Sequence, residues 1–528
     1  MRRPVLLSLL LALALQALGV VQGDVPSLDR GVRTAPVCPT GPPVGTPVHL
    51  VADLETVQVR DSASRGPLIA AADAIVASGS PPVTYRGDGD PDPLRYLYDE
   101  GVALRRVTGV LGYAYAATHD PKYLDTLAGV VVGVAAWPDW NQGHPLDTAQ
   151  VGTAVALAYS WTRDRLTPQQ REAVTGVLVE RLLAPYACDG GGLARYRIAT
   201  GNQVTVVGSA VVLAGLALRA DEPQWSATAV RAGADALRRF ASPDGSGRSL
   251  ADGPTAEGLM YTTYEAANLA LLHATLRAGA ADPDLTGALA GTVGPLDPLA
   301  DWNERCGRVA EPNVEDAWDV YPWVDRATAL AAMAASPAAG GNVRALLDAL
   351  QQAGRLTVPG HGTVAAPDGI AELVLSSLTP GSAVTPPVQA HASGGRPDAR
   401  LYGCATNGSM YALLTGIPND APHGHADVGN VVVKHGEQTV LADLGQRDYG
   451  FRGAPVWRAS TKAHTTIGVL RPDGAVDQQP DGSGAVSADG NGLLMTSSTA
   501  LEGVPTWERR VSLTESSVRI ADRLTSST

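Results

Sequence analysis

His423-Gly424-His425-Ala426-Asp427 leads into a β-branched run, Val428 to Lys434, a turn at His435-Gly436-Glu437, and a second apolar run, Thr439 to Asp443. Two short runs around a glycine-bearing turn read as an antiparallel hairpin. With the turn centred there, the far ends of the strands meet and His425 and Asp443 become cross-strand neighbours. His464, in Lys462-Ala463-His464-Thr465-Thr466, opens the next apolar run and offers a third donor. Two imidazoles and a carboxylate are a common zinc set with one position open to water. A hydrogen-bonded His/Asp cluster that fixes the strand ends satisfies the same spacing.

The hairpin belongs to a longer β pattern. Met410 to Leu414, Thr465 to Leu470, Gly492 to Ser497 and Arg510 to Leu513 are short, β-branched and bounded by Gly, Asp, Asn or Pro. Residues 381–528 therefore read as an antiparallel β-sandwich domain. Beyond Arg519 to Asp522 the chain is polar, so the sheet is expected to be incomplete and the domain truncated.

Residues 91–380 have a different period. Leu94 to Thr118, Tyr123 to Ala136, Thr148 to Thr162, Pro168 to Leu183, Gln203 to Ala220, Gln224 to Phe240, Tyr261 to Ala278 and Val343 to Ala353 place apolar residues at helical spacing between Gly/Pro/Asp loops. Thr167-Pro168 supplies a cap followed by a proline at the first helical position. Regular helices over this length predict helical hairpins arranged as an incomplete (α/α) toroid, giving a multidomain α + β protein. Residues 24–90 read as an extended lead-in with a helix around Leu68 to Ala77. Two arginines and an apolar run from Pro4 to Val21 read as a signal peptide over residues 1–23, which implies a secreted or periplasmic protein with no membrane partner after cleavage; an uncleaved anchor is the alternative, which Gln16 and Gly19 weaken.

A chain of 528 residues exceeds one compact core. Its net charge is −13 with only three lysines, Lys122, Lys434 and Lys462, and no basic run, which argues against nucleic acid. An anionic polysaccharide needs only a local group of arginines, whose planar fork suits carboxylate and sulfate. Cys38, Cys188, Cys306 and Cys404 form no C-x-x-C pair. Export permits a disulfide, but the spacing names no pairing. No G-x-S-x-G, phosphate loop or H-E-x-x-H occurs, so serine hydrolase, nucleotide and zincin chemistries lack support. His144, in the loop Trp137 to Pro145, could accompany aromatics that stack on sugar or that merely pack the loop. His361 reads as a turn residue.

The His423 to Asp427 run, with Ala442-Asp443-Leu444-Gly445, Tyr449, Trp457-Arg458 and His464-Thr465-Thr466, resembles the central motif of the heparinase II/III-like polysaccharide lyases. Leu146-Asp147-Thr148 through Ala158-Tyr159-Ser160-Trp161, and Asp252-Gly253 with Glu257-Gly258 and Tyr261, are similar to the helical part of that family. The resemblance implies that His425, Asp443 and His464 hold a mainly structural zinc ion while His423 faces substrate. It implies that Asn202 sits against the substrate carboxylate, beside Gln203 where many relatives carry histidine. It puts the catalytic tyrosine at Tyr261, with Tyr264 the second choice, and makes Tyr449 a further candidate for the acid. Glu257 and Arg458 would add substrate contacts. For either tyrosine alone, packing between helices is the plain alternative.

The implied reaction is β-elimination from an acidic, uronate-containing polysaccharide, the work of a carbon–oxygen lyase. The C5 proton lies beside a carboxylate and is barely acidic, so Asn202, Gln203 or His423 must bind that carboxylate as charge develops. A base then removes the proton and an acid protonates O4; tyrosine and histidine can divide these roles either way. Two other readings stand beside this one. An inverting glycoside hydrolase would recruit Glu257, Asp252 and Asp147, and a non-catalytic sugar-binding protein would need only the fold.

Overall fold

The computed structural model describes residues 47–85, 97–188, 192–195, 202–240, 255–278, 296–306, 323–336, 339–378, 401–421, 423–436, 438–445 and 459–525. The leader, Cys38, Asp252, Tyr449 and Arg458 fall outside these residues. All of the described residues lie in one unit, Cys38–Thr528.

The helices are α1 Arg65–Ser78, α2 Tyr98–Thr118, α3 Pro121–Ala135, α4 Pro145–Thr162, α5 Pro168–Leu178, α6 Asn202–Ala217, α7 Pro223–Phe240, α8 Leu259–Ala278, α9 Leu296–Cys306, α10 Trp323–Ala334, α11 Gly341–Ala353 and α12 Gly369–Leu378. The even-numbered helices form an inner ring, each packed on the next and α12 on α2, with the odd-numbered helices outside them. Sequence separates the two layers. Every residue of α8 from Leu259 to Leu272 is buried, as an inner helix requires, whereas α7 buries one stripe, including Ser226, Ala229, Gly233, Ala236, Leu237 and Phe240. Thr167 and Gln170 cap α5 reciprocally and Asp120 caps α3.

Where the first and last inner helices meet, side chains are excluded. A Cβ on Gly369 would stand 2.2 Å from the Gly109 carbonyl oxygen, and one on Gly109 would stand 2.6 Å from the Ile370 nitrogen. The segment Pro168 to Leu183, expected as one α-helix, changes to a wider π turn at Val179–Leu183, where the Ala184 N–H reaches back to the Val179 carbonyl. Pro185, with no N–H to give, follows directly. Between α11 and α12 the helical pattern is interrupted by an unexpected hairpin, β1 Arg355–Val358 and β2 Gly362–Ala365. His361 stands in its turn, with its N–H bonded to the Val358 carbonyl.

The second part is a sandwich. One sheet runs in the order β3 Tyr402–Asn407, β4 Met410–Thr415, β5 Val431–His435, β6 Gln438–Leu441; the other is made from β9 Ala485–Asp489, β10 Gly492–Ser497, β11 Thr506–Leu513 and β12 Val518–Thr525, each strand pairing with the next. Met410, Ala412 and Leu414 face Val486, Leu493, Met495 and Trp507 of the second sheet. The alternate residues Tyr411 and Leu413 pack with Val432 against Leu259 of α8 and Trp302 and Cys306 of α9. Covered on both faces, β4 is buried at every residue. Cys306 and Cys404 form a disulfide across this seam, and Cys188 is also disulfide-bonded.

Arg519 to Asp522 lies in β12, which pairs with β11 from Leu513↔Val518 to Thr506↔Thr525. Its polarity is that of an edge strand, and Asp522 accepts from Trp507 and Arg509. The expected strand Thr465 to Leu470 shrinks to β7, Val469–Leu470, paired with β8, Val476–Asp477. The peptide groups of Thr465 and Ile467 bond instead to the side chains of Asn430 and Gln479.

The ring closure makes a paired prediction. Gly369→Ala should destabilise by about 1–3 kcal/mol, as overpacking does, whereas Gly176→Ala on α5, where a Cβ meets nothing within 4 Å, should stabilise by about 0.4–1 kcal/mol. Thermal unfolding of the two variants checks the sign of each.

Candidate functional site

The first turns of α2, α4, α6 and α8 gather at one rim of the ring, and buried carboxylates tie them together. Asp147 in the first turn of α4 accepts from the Leu97 N–H ahead of α2 at 3.0 Å, from Asn141 Nδ2 at 2.8 Å, and pairs with His144 Nδ1 at 2.7 Å. Glu257, two residues before α8, accepts the Asn202 backbone N–H on both oxygens at 3.0 Å and Asn202 Nδ2 at 2.8 Å. Each carboxylate thus caps the start of a neighbouring inner helix, where unsatisfied N–H groups and the helix dipole favour an anion.

Glu257, expected to add a substrate contact, is 1% exposed and bonded to Asn202. Asp147 is fully buried, so both described carboxylates of the hydrolase reading are engaged in capping. Burial pushes the Glu257 carboxyl above its usual range, partly offset by the bonds from Asn202 and the nearby His423.

Asn202, 3% exposed, is the first residue of α6. Because a carboxylate only accepts, Glu257 determines that Nδ2 turns toward it. The same Nδ2 lies 3.3 Å from His423 Nε2, while Oδ1 is buried with no hydrogen-bond partner. His423 arrives from the β domain with a left-handed backbone, φ +61°, a conformation that costs a side-chain-bearing residue roughly 1–2 kcal/mol. Its ring lies flat on Tyr261, with centroids 3.8 Å apart and planes 9° off parallel; such aromatic pairs contribute about 0.5–1.5 kcal/mol beyond burial. Asn202, Tyr261 and His423, all named from sequence, are therefore in one place, supplied by α6, α8 and the sandwich.

The other candidates divide. The Tyr264 hydroxyl accepts from Gln150 Nε2 at 2.7 Å, and Gln150 in turn accepts from Arg105 at 2.7 Å, so Tyr264 belongs to a bonded network inside the ring. Gln203 is exposed beside Asn202. Trp137 and Trp140 are buried, which is the loop-packing alternative for that segment. Sequence reasoning passed over Gln150 and Glu265. Glu265, one turn beyond Tyr261, is wholly buried, and burial, reinforced by the charge of Glu257, holds its carboxyl well above the ordinary value of 4.5.

On the far side of His423, one donor atom each from His425, Asp443 and His464 lie within 4.8 Å of one another. The route differs from the expected register. β5 and β6 pair His435 with Gln438 and Val433 with Leu441 across a bulge, so Asp443 lies past the end of β6, bonded to the Asn430 side chain rather than paired with His425. Asn430 Nδ2 donates to Asp443 at 2.6 Å and its Oδ1 takes the Thr465 N–H at 3.1 Å, which draws His464 alongside. His464 Nδ1 is 3.2 Å from Asp443 Oδ2 and 3.6 Å from Asp427 Oδ2. Burial pushes the Asp427 carboxyl up to about 6, while the two histidines pull it back. Buried imidazoles beside buried carboxylates fit the donor set that a zinc ion requires.

The buried acids near Tyr261 set a pH dependence. A carboxyl with a raised folded-state pKa contributes stability that is present below its unfolded value and lost as pH rises through the folded one. Glu265→Gln is therefore expected to flatten the decline in melting temperature above about pH 4.5, read by thermal unfolding across pH; an unchanged slope would mean Glu265 ionises freely.

Neither a sequence-family model nor a curated protein matches the chain. Among solved structures, a heparinase III crystal structure superposes at a TM-score of 0.51 with 14% identity, over 90% of this chain and 72% of that one. A heparan sulfate lyase from Pedobacter heparinus (15% identity, 90% and 70% covered, TM-score 0.43) and a chondroitin AC lyase from Streptomyces coelicolor A3 (13%, 89% and 68%, 0.42) are more weakly similar and add nothing to the assignment. The chain has the fold of heparinase III, a polysaccharide lyase fold in which a helical toroid is followed by an antiparallel β domain.

Proposed function

We propose that this protein is a polysaccharide lyase that cleaves a uronate-containing polymer by β-elimination and leaves a 4,5-unsaturated uronate on the new non-reducing end. The observation that carries the reading is the Tyr261–His423 stack with Asn202 beside it. Two groups able to move protons and one able to bind a carboxyl group meet between the ring and the sandwich.

The chemistry follows from the atoms. Asn202, held by Glu257 beside His423, is placed to hydrogen-bond the uronate carboxyl group, and stabilising that group as charge develops acidifies C5–H. The base takes the C5 proton, the electron pair forms the C4–C5 double bond, the C4–O4 bond breaks, and the acid gives O4 a proton. Tyr261 and His423 divide these two roles according to which face carries the C5 proton. Tyrosine has an ordinary pKa of about 10 and needs a nearby positive charge or donors to act as base; the imidazole in face contact is placed to supply one. Gln203, Tyr449 and Arg458 remain candidates for substrate contact.

His425, Asp443 and His464 would hold zinc. Bound there, the ion supplies positive charge that stabilises buried carboxylates and fixes the loop that presents His423. The disulfide across the seam accords with an oxidising compartment and hence with export. Among the described residues no helix is long and apolar enough to cross a membrane.

The test is ultraviolet absorbance of the conjugated double bond, with heparan sulfate, alginate, hyaluronan, chondroitin and polyglucuronate as substrates. One polymer should give a rising signal. Tyr261→Phe and His423→Ala should each lower that rate by about 10²–10⁴-fold, while Tyr264→Phe, whose hydroxyl serves the Gln150 network, should stay within about tenfold. New reducing ends with no absorbance rise would replace elimination by hydrolysis.

A further inference from the structure

The strongest unabsorbed feature is Asp427. Its carboxylate is 0% exposed, and neither oxygen has a donor in hydrogen-bonding geometry. The side-chain amide of Asn430 directs one hydrogen to Asp443 at 2.6 Å and stands near enough to Asp427 to hold its carboxyl down slightly, but not in full hydrogen-bonding geometry. Among the described residues no lysine or arginine pairs with Asp427 or Asp443. Two carboxylates buried together without cations would be severely destabilising, since an unpaired buried charge is among the costliest groups a core can hold.

The geometry points to Asp427 as a fourth protein ligand that closes the metal centre formed with His425, Asp443 and His464. This rests on reading that cluster as a metal site. His425, Asp443 and His464 are the residues whose ligand atoms all lie within 4.8 Å of one another, and two separations measured from His464 bring Asp427 to their edge. Ligand atoms on a tetrahedral zinc, bonded at about 2.0–2.1 Å, lie roughly 3.3–3.4 Å apart along each edge. His464 Nδ1 stands 3.2 Å from Asp443 Oδ2 and 3.6 Å from Asp427 Oδ2, which bracket that edge. The longer separation exceeds a hydrogen bond, so an Asp427 that merely oriented the His464 ring is the poorer fit.

Charge agrees. Two carboxylates and two neutral imidazoles around a divalent ion sum to zero. The backbone is built to hold the position: Asn419 Oδ1 accepts the Asp427 and Val428 N–H groups at 3.1 and 3.3 Å, and the Asp427 carbonyl accepts the Asn430 N–H at 2.8 Å. A set of four protein ligands leaves no coordination position for water or substrate, which assigns the metal to structure rather than to chemistry.

The experiment uses the whole protein, zinc competition against a chelator, and cobalt substitution read by visible absorption. One zinc per chain is expected, and the cobalt form should show the intense bands of a four-coordinate tetrahedral centre, unaltered by azide. Asp427→Ala should weaken zinc binding by more than the roughly 10–100-fold that loss of an outer partner produces, and its cobalt spectrum should now respond to azide. If that variant fails to fold, the parent decides alone: bands that shift with azide mean an open fourth position and overturn the assignment. A tenfold loss with unchanged bands would make Asp427 an orienting carboxylate and overturn it as well. A parent that binds neither ion removes the metal site itself, a failure distinct from the other two.

Discussion

The Glu257 carboxylate, with three donated bonds from Asn202, is the interaction on which the site depends. A buried carboxylate is unfavourable unless donors surround it, and a helix start leaves N–H groups in need of an acceptor. Each requirement meets the other here, so α6 begins where Glu257 stands and Asn202 has one available orientation. Asp147 makes the same arrangement ahead of α2, and Glu304 on α9 makes it for α11 by accepting from Asn342 and Val343. Cross-helix capping of this kind sets how the inner helices line up at the rim, which is a positional task that apolar packing alone performs loosely.

The second constraint is the seam between ring and sandwich. Tyr261 and His423 come from separate domains, and their contact requires Leu259, Trp302, Tyr402, Tyr411 and Leu413 to exclude water next to them. The Tyr402 hydroxyl donates to the Thr255 carbonyl at 2.8 Å, within the short segment that carries Glu257. One side of the seam thus anchors the residues before α8 and the other anchors the loop before β5. The strained backbone of His423 persists because the structure on both sides specifies where its ring must lie.

Much of this was legible in the sequence, for reasons that can be separated. Helices α2, α4, α6, α7 and α8 showed period and length together, and Asn202, Tyr261 and His423 stood in motifs whose resemblance pointed to one site. The hairpin β1–β2 was not legible because four-residue strands carry too few alternations to stand out in a helical stretch. Asp443 was placed beside the right histidines by the wrong register: the tight turn pairs His435 with Gln438, which carries Asp443 toward the start of β5, and His425 reaches it from the loop before that strand. Gln150 and Glu265 went unread because nothing about a polar residue on an inner helix says that it will be buried until the ring is drawn.

Ring closure has a consequence for how the molecule is made. Gly109 and Gly369 touch, yet they stand 260 positions apart in the chain, and a ribosome adding roughly 5–20 residues per second needs from about 13 to 50 s to span that distance. Throughout that interval the apolar flank of α2 meant for α12 has no partner, and the chain resembles an open arc of helical hairpins with a sticky edge. Such an intermediate is prone to join another copy of itself. The nascent protein therefore depends on being kept apart from its neighbours until α12 emerges, a dependence that belongs to the circular topology and would follow it into any sequence folded this way.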